Sequence, residues 1–257
     1  LKRYRASVLK AAFEGRLVPQ DPNDEPVIES LRIIGKNSIR NENKKIPETW
    51  TYVKLSDIAD INKKASIFAD LPDNVDVTFV PMAAVDAEAG FISTPEIRKL
   101  GTVKKGFTSF MEGDVLFAKI TPCMENGKAA IAKNLKNGIG FGSTEFHVLR
   151  ANSFVLPEWL YHFVRQEYFR KDAKANFTGT AGQLRVPKRF LSDYIIPLPL
   201  ISEQRRIVAE IESRLTLLGE VDSIVQNNNN RITHLHQAIL KTAFEGKLDS
   251  SHKALIK

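Results

Sequence analysis

The sequence predicts an α+β chain, with one globular mixed α/β domain followed by a long helix of coiled-coil type. Three observations lead there. Strand-like and helix-like runs mix without regular βαβ alternation, which disfavours a doubly wound sheet. Apolar residues recur every 3.5 residues on average from Ile211 to Ile239. A segment near the start, "SVLKAAFEGRL" (Ser7 to Leu17), returns near the end as "AILKTAFEGKL" (Ala238 to Leu248). With 43% apolar and 26% charged residues, the 257-residue chain has the composition of a folded globular protein, not a disordered one.

Residues 1–17 read as the end of a helix. Val8, Leu9, Ala12 and Phe13 make one apolar stripe, as do Ile239, Leu240, Ala243 and Phe244. Gly15 and Gly246 then supply the left-handed residue that stops each helix. When Arg5 is aligned with His236, seven of thirteen positions are identical, as expected of one half of a duplicated protein that retains the end of the preceding repeat. The absence of an initial Met agrees with such a cut. Residues 18–45 form a linker, with "VPQDPNDEP", a short helix from Val27 to Ile34, and the polar "GKNSIRNENKK".

The globular domain is expected over residues 46–200, opening at "IPETWTYVKLSDIADI". "VDVTFVPM" and "GDVLFAKI" read as bounded strands, and "STEFHVLR" alternates polar with apolar. "PEWLYHFVRQEYFRKDA" reads as one helix with Pro157 in its first turn and Leu160, Phe163, Val164 and Phe169 on its apolar face. Pro197 and Pro199 delay the next helix, and Ser202, Glu203 and Gln204 favour its start.

That helix is assigned to 201–248, with 249–257 as a tail, and would span roughly 70 Å at 1.5 Å per residue. Ile211, Leu215, Leu218, Val221, Val225, Asn228, Ile232, Leu235 and Ile239 form its seam. Together with Phe13 and Phe244 they are the expected subunit interface. The "NNNN" run, Asn227 to Asn230, leaves two alternatives: a buried Asn228 that fixes register, or a local break.

A single cysteine, Cys123, excludes an intrachain disulfide framework and suits a reducing cytoplasm. No long apolar run or signal-like start supports a membrane or secretory role. Within a net charge of +7, residues 165–189 hold seven bases, Arg165, Arg170, Lys171, Lys174, Arg185, Lys188 and Arg189, against only two acids, Glu167 and Asp172. This is either an anion-binding face or a solvated helix face.

"TGTAGQLRVPKR" suits base reading. Gly179, Ala181 and Gly182 permit close backbone approach, while Gln183 matches adenine N6/N7 and Arg185 matches guanine O6/N7. Thr178, Thr180, Lys188 and Arg189 suit phosphate oxygens. Lys119, Thr121, Glu125, Asn126 and Lys128 lie in and after a strand end, where functional loops are common. Lys104, Lys105, Ser143 and Thr144 complete the expected DNA contacts, each also explicable as a solvated charge or an internal hydroxyl.

Catalytic readings fare poorly. Cys123 and His147 are better explained as a buried thiol and a strand histidine. His234 and His236 face different sides of a helix, so no metal site is expected. A cofactor-binding methyltransferase would show a glycine-rich loop after a strand and an Asn- or Asp-Pro-Pro-aromatic motif. A metal-dependent nuclease would need an acid before Glu-X-Lys, and the glycine of "EGK" is the helix stop.

"IPLPLISEQRRIVAEIE", followed by the heptad helix ending in "LKTAFEGKL", resembles specificity subunits of type I restriction-modification enzymes. "ITPCMENGKAAIA", "GFGSTEFHVLR" and "TGTAGQLRVPKRFLSDYIIPLPLISEQ" are similar to motifs of one group of that family's target recognition domains. The resemblance covers nearly the whole chain and implies the end of a central helix, the second target recognition domain and the distal helix. It implies a non-catalytic subunit that reads half of a bipartite double-stranded DNA site and carries no cofactor of its own. The implied partners are modification subunits using S-adenosylmethionine and restriction subunits using ATP and Mg. Only residues 1–17 stand for the first helix, so pairing within the chain would be incomplete. The expectation is a fragment or half-subunit that forms a two-fold homodimer. The alternative is a coiled-coil scaffold whose globular domain binds a non-DNA partner.

Overall fold

A computed structural model describes residues 2–33, 46–64, 68, 70–180 and 182–247. Ile34 and the whole polar "GKNSIRNENKK" segment, Ala181, Leu248 and the 249–257 tail lie outside the described residues. The chain forms two compact units. One is Ala6–Ile211; the other takes in residues 2–5 and 212–247 of those described.

The first unit opens with most of α1 (Lys2–Phe13), whose Val8, Leu9, Ala12 and Phe13 are buried. Gly15, at φ +68°, ends the helix, with Gly15 N–H bonded to Ala12 O and Arg16 N–H to Ala11 O. This pair of bonds is the Schellman arrangement. A Cβ on Gly15 would lie 2.3 Å from Pro47 Cγ, so both backbone angle and packing exclude a side chain there. α2 (Val27–Ile33) follows, with Val27 and Leu31 buried.

Two four-stranded sheets carry the domain. One runs β2 (Ala59–Ile61), β9 (Phe146–Ala151), β6 (Val115–Ala118), β7 (Ala129–Ile131), all antiparallel. The other runs β4 (Glu96–Lys99), β3 (Asp76–Val80), β8 (Ile139–Gly142), β5 (Thr108–Met111), with β3 and β8 parallel. Between them pack Val80 and Phe110 from the second sheet and Leu116, Ala130, Phe146 and Val148 from the first. The outer face of the second sheet buries Val77, Phe79 and Phe141 with Leu100 and Val103 of α4 (Leu100–Val103). β6 is covered on both faces and all four of its residues are buried. A central strand with no solvated face reads as a continuous apolar run, as "VLFA" does.

α5 (Pro157–Val164) and α6 (Glu167–Ala175) are two helices where the sequence suggested one. Gln166 adopts extended angles (φ −61°, ψ 140°) as the N-cap of α6, while Arg165 turns away to donate to the carbonyls of Ala87 and Glu88. The break lets Phe163 and Phe169 meet at 5.2 Å, beside Phe117 and Tyr194. Phe13 joins this aromatic core, 4.2 Å from Trp159 and 5.4 Å from Phe163.

A two-stranded ribbon closes the unit: β1 (Thr51–Lys54) pairs with β10 (Ile195–Leu198), flanked by α3 (Leu55–Ile58) and α7 (Lys188–Asp193). The 44-residue α8 (Ile201–Phe244) then begins and is continuous through Asn227–Asn230, so the alternative of a break is not realised. Its first turns belong to the globular unit, with Glu203, Gln204, Ile207, Val208 and Ile211 buried. Ile211 is fully buried and Phe13 only 4% exposed, so these two expected interface residues are core residues of this chain.

In the second unit, Leu215 and Leu218 are half-buried, whereas Val221, Val225, Asn228, Ile232, Leu235 and Ile239 are exposed. Leu217, Ile224 and Leu240 widen the exposed apolar stripe.

Candidate nucleic-acid interface

Three of the segments singled out in the sequence converge. Residues 178–180 and 182–185 form the two arms of a ribbon, closed by Thr178 N–H to Arg185 O at 3.0 Å and Arg185 N–H to Thr178 O at 2.8 Å. The end of β6 docks on its flank: Thr121 N–H donates to Leu184 O, and Val186 N–H to Lys119 O. The turn from β8 to β9 joins from the other side, with Lys119 N–H donating to Glu145 O at 2.9 Å. The Ser143 hydroxyl accepts the Glu145 N–H, so Ser143 shapes that turn, while Thr144 is exposed. "STEFHVLR" thus enters its strand only at Phe146.

The tip of the ribbon is exposed at Thr178, Gly179, Thr180 and Gln183. Gly179 has φ +124°, and a Cβ there would lie 2.7 Å from Gln183 O, so glycine is required. Lys188 is exposed at the start of α7. Among the described residues, the Gln183 amide and the Lys188 ammonium have no hydrogen-bond or ion-pair partner.

Arg185 is placed differently from a free base reader. Its Nε donates to Glu145 Oε2 at 2.9 Å and its Nη2 to Oε1 at 2.7 Å, while Nη1 donates to Gln183 O at 2.9 Å. The guanidinium beside Glu145 holds that carboxyl below its ordinary range, and the nearby Lys119 acts in the same direction.

His147 supports the same corner from beneath. It is 3% exposed, donates through Nε2 to Val186 O at 2.8 Å, and accepts at Nδ1 from Asn62 Nδ2 at 2.9 Å. Burial depresses its pKa to about 4, so the ring is neutral at pH 7. Asn62, at φ +57°, also takes the Val148 N–H on its side-chain oxygen. Cys123 is half-buried, not buried.

The basic run from Arg165 to Arg189 is mostly committed elsewhere in the fold. Arg165 binds two carbonyls and the Tyr161 hydroxyl. Arg170 donates to the Glu125 carbonyl, Lys174 pairs with the Glu125 carboxylate, and Lys171 pairs with Glu167. Arg189 lies 3.7 Å from Asp193 but stays exposed, so it remains available to a phosphate. Glu125 is therefore a structural acceptor, and Lys128 a structural donor, its Nζ reaching Met82 O at 3.1 Å. Asn126 is exposed on the same loop.

Lys104 and Lys105 are not brought to this corner. They follow α4, where Leu100 N–H bonds Val75 O at the start of β3 and Lys104 pairs with Asp73. Ser143 N–H bonds Val80 O at the other end of β3, five residues on and about 16 Å away at 3.3 Å per residue.

Among the described residues no cluster of His, Cys, Asp and Glu could hold a metal, and no helix is long and apolar enough to cross a membrane. Two residues that shape the domain were not assigned their roles from sequence: Glu145, inside a quoted motif but opposite an arginine 40 residues away, and Gln204, read only as a helix start.

Residues 47–234 match the family described as Type I restriction modification DNA specificity domain. The chain belongs to that family. It is 35% identical to the specificity subunits of the type I restriction enzymes EcoEI and EcoAI of Escherichia coli, in each case over 98% of this chain and 45% of the relative. It thus spans about half the length of these curated relatives. Its fold matches the HsdS subunit from Thermoanaerobacter tengcongensis, with TM-score 0.63 and 24% identity over 78% of this chain and 50% of that one. A chain from a structure of complex assembly and conformational transition of the type I R-M system also has TM-score 0.63, with 26% identity over 74% of this chain and 48% of that one.

Proposed function

We propose that this chain reads one half of a bipartite double-stranded DNA site for a type I restriction-modification enzyme. It docks modification subunits that methylate adenine with S-adenosylmethionine, and serves restriction subunits that use ATP and Mg. In this reading the chain itself catalyses nothing and binds no cofactor. The observation that carries it is the joining of residues 119–121, 143–145, 178–180 and 182–185 into one platform, exposed at Thr144, Thr178, Gly179, Thr180 and Gln183. Gln183 is its base reader, while Thr178, Thr180, Lys188 and Arg189 hold phosphates. Lys119 and Thr121 line the flank, and Lys104 and Lys105 fall outside the footprint.

The exposed apolar stripe on α8 supports an assembly role, and two copies of this chain pairing their distal helices antiparallel form a two-fold homodimer. Such a dimer reads a symmetric site. Each residue inserted in α8 then changes the spacer by about 1.5 Å, against about 3.4 Å per base pair.

Titrating duplex DNA against salt tests the reading. Binding should weaken steeply with salt, and Lys188→Ala should lower the log–log slope by about 0.9. Binding that is absent, or indifferent to salt, would favour the scaffold alternative. Mapping methylated sites in cells that carry the complete system gives the sequence read.

A further inference from the structure

We propose that Glu145 and Arg185 form a positioning pair that fixes the pose of the Gln183 tip. Glu145 is then a specificity-determining residue, although it touches no base. This rests on the DNA-reading function proposed above.

A guanidinium reads guanine by presenting two parallel N–H groups to O6 and N7. The Nε/Nη2 edge of Arg185 is spent on the Glu145 carboxylate, at 2.9 and 2.7 Å. Nη1 also donates to Gln183 O at 2.9 Å. Three of its five N–H groups are thereby engaged within the protein, and a fork on the Nε/Nη2 edge is not free. Freeing that edge would leave Glu145, whose side chain is only 23% exposed, without the cation that it faces.

The same bonds act on the tip. Gln183 O is held by Arg185 Nη1 on one side and by the close approach of Gly179 on the other, while Gln183 N–H bonds Thr180 O at 3.0 Å. Both peptide groups flanking the Gln183 side chain are therefore restrained before DNA arrives. Glu145 anchors this restraint to the sheets, since its own carbonyl takes the Lys119 N–H at the end of β6 and its residue leads directly into β9. A reader pre-set in this way does not lose the freedom that a mobile glutamine would lose on binding.

The test compares Gln183→Ala, Glu145→Gln, Arg185→Lys and the double variant Arg185→Lys/Gln183→Ala in the assembled modification enzyme. Methylation is mapped at every base of the half-site, and the salt slope of DNA binding is measured for each. Glu145→Gln and Arg185→Lys keep size and polarity, so folding is expected, and thermal unfolding checks it.

The expected result is that Glu145→Gln and Arg185→Lys relax the same base pair that Gln183→Ala relaxes, by about tenfold, the size of one good base contact, with the salt slope unchanged. The double variant should be no worse than Gln183→Ala alone. If Arg185→Lys alters a base pair that Gln183→Ala leaves intact, Arg185 is a reader and the proposal is overturned. It is also overturned if Glu145→Gln leaves every preference intact, or if Gln183→Ala does. An unsubstituted enzyme that methylates no defined sequence would instead sink the DNA-reading function, and this proposal with it.

Discussion

Phe13 and Phe244 occupy the same position of one repeated segment, yet Phe13 is 4% exposed and Phe244 is 89% exposed. Their local structures coincide. Gly246, like Gly15, sits at φ +68°, and Gly246 N–H to Ala243 O with Lys247 N–H to Thr242 O repeats the cap of the first copy. The difference lies in what surrounds the ring: Trp159 and Phe163 for Phe13, solvent for Phe244. Phe13→Ala should cost about 3–5 kcal/mol in denaturant unfolding of the chain, and Phe244→Ala less than about 0.5 kcal/mol. Equal losses would show that the second copy is buried in solution.

Glu203 and Gln204 are neighbours with opposite expected outcomes. Gln204 is fully buried and fully used: Oε1 accepts from Leu156 N–H at 2.8 Å, and Nε2 donates to Phe154 O at 2.8 Å and Pro199 O at 2.9 Å. Gln204→Ala orphans three backbone groups and should cost about 3 kcal/mol or more. Glu203 is equally buried, and burial pushes its carboxyl above the usual range, only partly offset by Gln20 and Trp50. Its penalty is absent below the unfolded pKa and grows as pH rises through the folded one. Glu203→Gln should therefore stabilise at neutral pH, by about 1 kcal/mol, and the gain should vanish in acid.

His147 should give the domain an acid limb. Its folded pKa of about 4 lies below the ordinary 6.5, because burial disfavours the cation. The unfolded chain takes up the proton first. Stability is therefore complete above pH 6.5 and erodes as pH falls toward 4, by on the order of 3 kcal/mol at about 1.36 kcal/mol per unit. His147→Gln should flatten the unfolding free energy across that window. An unchanged slope would mean that the ring is not held neutral in the fold.

Much of this was legible in the sequence, because periodicity and punctuation report local structure. The α+β class, the helix stops at Gly15 and Gly246 and the long helix all follow from residue spacing. The break at Arg165 and Gln166 did not, since both residues suit a helix and only the carbonyls of Ala87 and Glu88 draw Arg165 aside. Charge misled for the same reason. The Arg165–Arg189 run looks free in sequence, whereas Glu125 and Glu145, far along the chain, neutralise two of its members and Glu167 a third. The roles of Gln204 and Glu145 rest on bonds spanning 40 to 50 residues, which no local pattern encodes.

Val221, Val225, Ile232, Leu235 and Ile239 are each more than 40% exposed along one 3.5-residue repeat of α8. Water contact with so regular a stripe is costly, at about 25 cal/mol per Å² of apolar surface. Asn228 falls within the stripe, and a single amide at such a position sets register and oligomeric state at some cost in stability. A two-fold pairing of this stripe should appear as a dimer in sedimentation. Leu218→Glu combined with Val225→Glu would bury two unpaired charges in it and raise the dissociation constant by at least about a hundredfold. The thermal transition of the globular unit should stay unchanged, because neither residue is in its core. A chain that sediments as a monomer at high concentration before substitution would refute the homodimer and leave a modification subunit as the stripe's partner.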